Sequence, residues 1–121
     1  MISVEGEAAF ILHTRSYKES SLLVELFTLN YGRVSAVARI SKKISSRSRG
    51  IYQPFIPLKL DLVQGRGSLW TLNDARMQRH AYILDEQKLL CAMYVNELMV
   101  NLVKTHESAP KLFASYIKTM E

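Results

Sequence analysis

The hydrophobic pattern of this 121-residue chain changes its period near residue 80. Before that point, apolar residues form short runs that alternate with polar residues and stop at turn signals, which is typical of strands. Beyond it, residues 85–104 contain neither glycine nor proline, so a helix can run uninterrupted. We therefore predict a β domain over residues 1–80 and the first helices of an α-helical domain over residues 81–121, with the boundary near residues 76–84.

Five strands are predicted before the change of period, over residues 8–14, 22–28, 33–39, 55–63 and 68–73. The third alternates most clearly, since Val34, Ala36 and Ala38 would face the core and the residues between them solvent. Glycine-containing turns are predicted at Asn30-Tyr31-Gly32 and Gly65-Arg66-Gly67, because glycine tolerates the positive φ of tight turns. Five strands with one long connection fit a small Greek-key barrel of the OB type better than a sandwich, which needs about seven strands.

Alternation along the first strand predicts two faces. Phe10, Leu12 and Thr14 would share one face. Ile11 and His13 would share the other, and we interpret His13 as a structural histidine.

The predicted first helix is apolar around most of its circumference. One stripe contains Cys91, Val95, Leu98 and Leu102, and Cys91 is interpreted as an inert core residue. A second helix is predicted from Ser108 and Pro110 onward, with Leu112, Phe113, Tyr116 and Ile117 as its apolar face. One short helix cannot cover so much apolar surface. We expect that the chain is a fragment or that a partner subunit covers the rest.

The net charge of +5 belongs entirely to the first half of the chain. Residues 1–60 contain nine Lys/Arg and four Asp/Glu, whereas residues 61–121 contain seven of each. No acidic residue occurs between Glu25 and Asp61. Such a local excess suits a polyanion, most often a nucleic acid. The alternative is a basic surface that only aids solubility.

Serine and basic residues dominate residues 40–50, which predicts an exposed basic loop. Single strands are bound by a positive groove with aromatic rings on which bases stack. The predicted DNA-binding residues are basic side chains and two rings near turns or strands: Arg33, Arg39, Lys42, Lys43, Arg47, Arg49, Arg66, Tyr52 and Trp70. An aromatic ring in a small barrel is more often part of the core, and that alternative stays open for both rings.

Catalytic and metal-binding patterns find little support in the sequence. His13, His80 and His106 are scattered without ligand spacing, and Gly65-x-Gly67 lacks the Gly-Lys-Ser/Thr of a phosphate loop. We expect no enzyme activity and no metal or cofactor in these residues. The N-terminus lacks the basic flank and apolar stretch of a signal peptide, so a cytoplasmic protein is expected.

Several motifs together resemble the RecO family of bacterial recombination mediators. The motifs are Tyr17-Lys18-Glu19-Ser20-Ser21, Leu26-Phe27-Thr28 with Gly32-Arg33, Ser46-Arg47-Ser48-Arg49-Gly50, Gln53-Pro54-Phe55, Gly65-Arg66-Gly67-x-Leu69-x-Thr71-Leu72, Tyr94-x-x-Glu97-Leu98 and Glu107-x-Ala109-Pro110-x-Leu112-Phe113. The resemblance runs from about residue 7 to residue 118, and it departs from the family at Ile40, where the basic stretch usually has glycine.

The resemblance implies an N-terminal OB-fold domain, a helical domain, and a role in recombinational DNA repair without nucleotide hydrolysis. It implies binding to single- and double-stranded DNA, annealing of complementary strands, and association with the nucleoid in the cytoplasm. Its implied partners are RecR, RecF, RecA and the single-stranded-DNA-binding protein. Family members often bind zinc further along, but the cysteines for that site do not occur here.

Two other functions remain open on the residues alone. In the first, the apolar helix surface docks the acidic, aromatic tail of a single-stranded-DNA-binding protein, or another mediator protein, and the barrel is a scaffold. In the second, weaker interpretation, the basic stretch binds an anionic membrane, although Ile40 and Ile44 are its only large apolar residues.

Overall fold

A computed structural model describes residues 2–39, 52–65, 67–102 and 109–121 of the chain. It contains five strands and two helices, which confirms the predicted order of elements. Their bounds are β1 Ile2–Tyr17, β2 Ser21–Thr28, β3 Gly32–Arg39, β4 Leu58–Gln64, β5 Trp70–Met77, α1 Glu86–Leu102 and α2 Pro110–Met120. Neither helix in these ranges is long and apolar enough to span a membrane.

The five strands follow one another around the sheet in the order β1-β2-β3-β5-β4, and β4 pairs with β1, so the sheet closes as a barrel. All neighbouring pairs are antiparallel except β3 and β5, which run parallel from Ala36↔Trp70 to Ala38↔Leu72. A five-stranded Greek-key barrel of this kind is consistent with the predicted OB fold.

The interior of the barrel is filled by the alternate residues that the sequence predicted to face inward. Val34, Ala36 and Ala38 of β3 are completely buried. The leucines of β4 are buried in the same way, while Lys59 and Asp61 between them reach the surface. Small residues on β3 let the strand lie close to the large ring of Trp70 on β5.

A β-bulge in β1 corrects the predicted faces of this strand. The register shifts between Ile11 and His13, so Leu12 is an extra residue. Beyond the bulge His13 pairs with Glu25 on the outer face, and Thr14 pairs with the interior residue Val24. His13 is therefore exposed instead of structural, because one inserted residue reverses a two-residue alternation.

The fourth strand begins three residues later than predicted. Residues 55–57 precede β4, and Phe55 has a positive φ of 70°. Pro54 makes only an isolated bridge to Ile11, and Pro57 stands immediately before the strand. Proline has no N–H to donate to a ladder, which explains why regular pairing starts at Leu58.

A second core lies between the outer face of the barrel and the helices. Phe10 and Phe27 of the barrel contact Phe113 and Tyr116 of α2, with ring centroids 5.1–5.7 Å apart. Met99 of α1 is buried in the same cluster. Because the helices share this core with the barrel, the division into domains 1–80 and 81–121 stays a prediction.

The residues of α1 that pack against the barrel are not those of the predicted stripe. Ala92, Asn96 and Met99 are its buried residues, whereas Cys91 is exposed. Apolar residues cover most of the circumference of this helix, so their spacing alone does not distinguish the packed face from its neighbour. Much of the remaining apolar surface stays exposed, at Leu89, Leu90, Met93, Tyr94 and Leu98.

Asn96, the buried polar residue of α1, links both helices to the bulge of β1. Asn96 Nδ2 donates a hydrogen bond of 3.4 Å to the Leu12 carbonyl, and the Tyr116 hydroxyl donates to Asn96 Oδ1. Leu12 is the residue left out of the β1–β2 pairing. A bulge disrupts the ladder locally, and here a side chain from the helix supplies the missing partner.

Candidate nucleic-acid interface

Arg33 and Arg39 both lie on the outer face of β3, as the alternation predicted. The surroundings of the two side chains differ. Arg33 Nη1 lies 2.9 Å from Glu25 Oε2, and both side chains are less than one-fifth exposed. The Ser35 hydroxyl donates to the same carboxylate at 2.8 Å. Arg39, at the end of the strand, is exposed. The charge of Arg33 is thus balanced within the sheet, whereas Arg39 offers its charge to the surface.

The two aromatic candidates belong to the interior of the barrel. Trp70 is 1% exposed, and its ring packs edge-on against Tyr31 with centroids 5.4 Å apart. A ring covered in this way has no free face for a base, which argues against a stacking role. Tyr52 is half-buried against the same core, and burial, followed by the charge of Asp74, raises the pKa of its hydroxyl above 10.0.

Five of the predicted DNA-binding residues lie outside the described residues. They are Lys42, Lys43, Arg47, Arg49 and Arg66. The first four belong to residues 40–51, which follow Arg39 directly in the chain, and the fifth stands between Gly65 and Gly67. Their role in binding stays a prediction.

Strand pairing brings together basic residues that the sequence analysis did not combine. Tyr17 lies opposite Ser21, and Ser21 lies opposite Arg39, so the ends of β1 and β3 meet at one corner of the outer face. Exposed Arg15 precedes this row on the same face, and exposed Lys18 follows it in the β1–β2 turn. We call Arg15, Tyr17, Lys18, Ser21 and Arg39 the basic corner. The turn also contains one exposed acid, Glu19.

The basic corner was not found from the sequence because Arg39 is 18 or more residues away in the chain from its other members, which lie within residues 15–21. The only available signal was the register of two hairpins, which depends on the bulge at Leu12 and on the turn geometry. Arg15 and Lys18 also precede the acid-free interval that drew attention to residues 33–59.

A depression of about 220 Å³ adjoins the basic corner, between the outer face of the sheet and α1. The depression is lined by two glutamates, one histidine, one arginine and two apolar side chains: Glu25, Glu97, His13, Arg15, Leu23 and Val100. In the part of the chain that the structure describes, no three His, Cys, Asp or Glu side chains are grouped as metal ligands.

On the opposite wall of the barrel, at β4 and β5, acidic and basic side chains are paired with one another. Arg76 donates hydrogen bonds to both oxygens of Asp61, at 3.0 and 3.1 Å, and to Asp74. The Gly6 N–H donates to Asp61 at 2.9 Å. The basic corner therefore differs from this wall, where one arginine is shared by two carboxylates.

These contacts predict an acid-dependent contribution of Asp61 to stability. The hydrogen bonds from Arg76, followed by that from Gly6, hold the pKa of Asp61 below 3.8. A lowered pKa stabilises the folded state above the unfolded pKa, and the contribution is lost as the pH falls through the folded pKa. Asp61→Asn should therefore lower the urea midpoint at neutral pH, and the difference from wild type should shrink below pH 3.8.

The control for this measurement is Glu19→Gln, which removes an exposed carboxylate in the β1–β2 turn. This variant should have the urea midpoint of the wild type at neutral pH. A difference between Asp61→Asn and wild type that stays constant down to strongly acidic pH would contradict the proposed linkage.

The chain matches the family model described as recombination protein O N terminal, over residues 1–81. It is 39% identical over 108 residues to the DNA repair protein RecO of Methylococcus capsulatus. These residues make up 89% of this chain and 44% of that relative. It is 40% identical over 115 residues to the RecO of Coxiella burnetii, covering 95% of this chain and 49% of the relative.

A third relative, the DNA repair protein RecO of Marinobacter nauticus, is 37% identical over 119 residues, which are 98% of this chain and 48% of the relative. The chain thus spans about half the length of the curated relatives it matches. These matches confirm the resemblance that the motifs indicated. With the family model covering residues 1–81 and relatives near 40% identity over most of its length, the chain belongs to the recombination protein O family.

Proposed function

We propose that this chain is a DNA-binding and strand-annealing module of recombinational DNA repair. The observation that carries the proposal is the asymmetry of charge on the barrel. Exposed Arg15, Lys18 and Arg39 gather at one corner, and Arg39 leads directly into the residues that contain Lys42, Lys43, Arg47 and Arg49. Membership of a family whose relatives are named DNA repair proteins supports the same conclusion.

The proposed mechanism is electrostatic and needs no catalytic group. Lysine and arginine side chains would neutralise phosphates and release the counterions condensed on the nucleic acid. Two complementary strands held on one basic surface repel each other less, which favours their annealing. In the cell this module would help to load the recombinase RecA on DNA coated by the single-stranded-DNA-binding protein, together with RecR and RecF.

The test removes two charges at a time from the predicted basic loop. The variants are Lys42/Lys43→Ala and Arg47/Arg49→Ala, and the measurement is fluorescence anisotropy of a labelled single-stranded oligonucleotide at several salt concentrations. For single strands, log affinity falls with log salt by about 0.7 for each phosphate neutralised. Each double variant should therefore flatten the slope by about 1.4.

A matched control removes two charges from a different surface. Lys111 and Lys118 are exposed on α2, and Lys111/Lys118→Ala should leave the slope unchanged. Equal slopes for the loop variants and the wild type would place the DNA site elsewhere. A wild-type chain that does not bind the oligonucleotide at low salt would contradict the proposed function itself.

A second candidate function is supported by the exposed apolar surface of α1. Leu90, Met93 and Tyr94 are each more than half exposed, an arrangement that suits a protein partner. The partner would be the acidic, aromatic tail of the single-stranded-DNA-binding protein or another mediator protein. Saturable binding of such a peptide that survives Lys42/Lys43→Ala and is lost in Leu90→Ser would favour this function.

A further inference from the structure

Tyr17 is an aromatic residue that the fold places among basic side chains. It lies at the end of β1 on the outer face, opposite Ser21, with Arg39 on the far side of that serine. Arg15 stands two residues earlier on the same face, because strand residues alternate between faces. Directly opposed residues on neighbouring strands have Cβ atoms about 4.5–5.5 Å apart. Tyr17, Ser21 and Arg39 thus form one short row across three strands.

Tyr17 lies outside the two groups of packed aromatic rings. Phe10, Phe27, Phe113 and Tyr116 pack against one another in the second core, while Tyr31 packs against Trp70. Over the described ranges of the chain, Tyr17 makes no ring–ring contact, and it is half-buried. Its near neighbour is the Lys18 ammonium, 5.4 Å from the ring centroid.

The residue opposite Tyr17 on β2 is small. Ser21, the residue directly opposite, has a small side chain, and the ring is partly exposed. Lys18 is exposed, and its long side chain can move from the ring to a phosphate. Tyr94 is also exposed, but its neighbours on α1 are the apolar residues Leu90 and Met93. Tyr17 thus combines partial exposure with nearby positive charge. Tyr82 also has a cation over its ring, since Arg79 lies 4.3 Å from the centroid, but Tyr82 packs in the second core against Phe10.

We propose that Tyr17 is a stacking platform for an unpaired nucleobase of single-stranded nucleic acid, with Arg15, Lys18 and Arg39 binding the flanking phosphates. This inference rests on the proposed DNA-binding function and specifies a site for it. Aromatic rings interleaved with basic side chains bind single strands with little sequence preference, because every base has a π face. Bases within a duplex are already stacked and paired, so the ring favours single strands over duplexes.

The test separates stacking from charge. Tyr17→Ala should weaken binding of an oligothymidylate roughly 5- to 150-fold, the range that loss of one base–aromatic stack gives. The salt dependence should keep its wild-type slope, because no charge is removed, and duplex affinity should be unchanged. Tyr17→Phe should bind like the wild type. Lys18→Gln should flatten the slope by about 0.7.

Two further variants control for folding and position. Tyr17→Leu keeps an apolar side chain on the sheet and should lose single-strand affinity as Tyr17→Ala does. Tyr94→Ala removes an exposed ring from α1 and should leave affinity unchanged. Circular dichroism and urea unfolding establish that each variant is folded before its affinity is compared.

The possible failures are distinguishable. If the wild type binds the oligonucleotide and Tyr17→Ala binds equally well, the stacking role is wrong and the proposed function stands. If Tyr17→Ala loses single-strand and duplex affinity to the same extent, the ring supports backbone contacts and the inference is overturned. If the wild type binds neither form at low salt, the proposed function fails and the inference fails with it.

Discussion

Replacing Trp70 with alanine is expected to lower the free energy of unfolding by about 3–5 kcal/mol. Trp70 is 1% exposed, lies against the small residues of β3, and contacts Tyr31 edge-on. Removing the indole would leave a cavity that the closed barrel cannot fill by moving a single strand, because each strand is paired on both sides. Domains are stable by only about 5–15 kcal/mol, so the loss is a large fraction of the total.

The measurement is urea unfolding followed by circular dichroism, since Trp70 is the only tryptophan of the chain. Trp70→Phe serves as the conservative variant, and it should lose much less stability because an aromatic ring and most of the volume remain. Its affinity for single-stranded DNA should equal that of the wild type. Loss of DNA affinity in a folded Trp70→Phe variant would show instead that the indole reaches the bound strand.

Replacing Asn96 with leucine is expected to cost about 2–4 kcal/mol, although the new side chain is apolar and of similar size. The Leu12 carbonyl and the Tyr116 hydroxyl would both lose their hydrogen-bond partner in a buried place. Burial also raises the pKa of Tyr116 well above 10.0, despite the opposing effect of the bond to Asn96, so the hydroxyl stays protonated as a donor. Unpaired buried polar groups carry their full desolvation cost.

A double-mutant cycle tests whether Asn96 and Tyr116 act together. Tyr116→Phe alone should cost about 1–2 kcal/mol, because Asn96 Oδ1 loses its donor. Adding Tyr116→Phe to Asn96→Leu should cost less than it does alone, because no orphaned hydroxyl remains. Urea midpoints and slopes of the four proteins supply the coupling energy. Additive losses, within about 0.5 kcal/mol, would mean that this buried network does not couple α1 to α2.

Much of the barrel was predictable from local patterns. Val34, Ala36 and Ala38 alternate with polar residues, and each one is buried as predicted. The turn at Asn30-Tyr31-Gly32 connects β2 to β3, with Gly32 at a φ of 64°. Such features depend on residues close together in sequence, where period and turn chemistry act directly on the backbone.

The candidate site was predictable only in part. Arg39 is exposed at the end of β3 as expected, whereas the Arg33 side chain is less than one-fifth exposed and paired with Glu25, and Trp70 is inside the barrel. The side chain of Glu25, eight residues before Arg33, is positioned by the β2–β3 register. Charge counts along a chain do not reveal such pairings, since they depend on which strands are neighbours.

The sequence by itself determined the order of strands and helices, the inward faces of β3 and β4, and the confinement of excess positive charge to the first half. Tertiary structure alone decided three features: the bulge at Leu12, the face that α1 turns to the barrel, and the placement of Tyr17 and Arg39 on either side of Ser21. The physical reason is common to all three. Alternation fixes which residues share a face, but one inserted residue, or a helix apolar around most of its circumference, leaves the choice of partners to long-range packing.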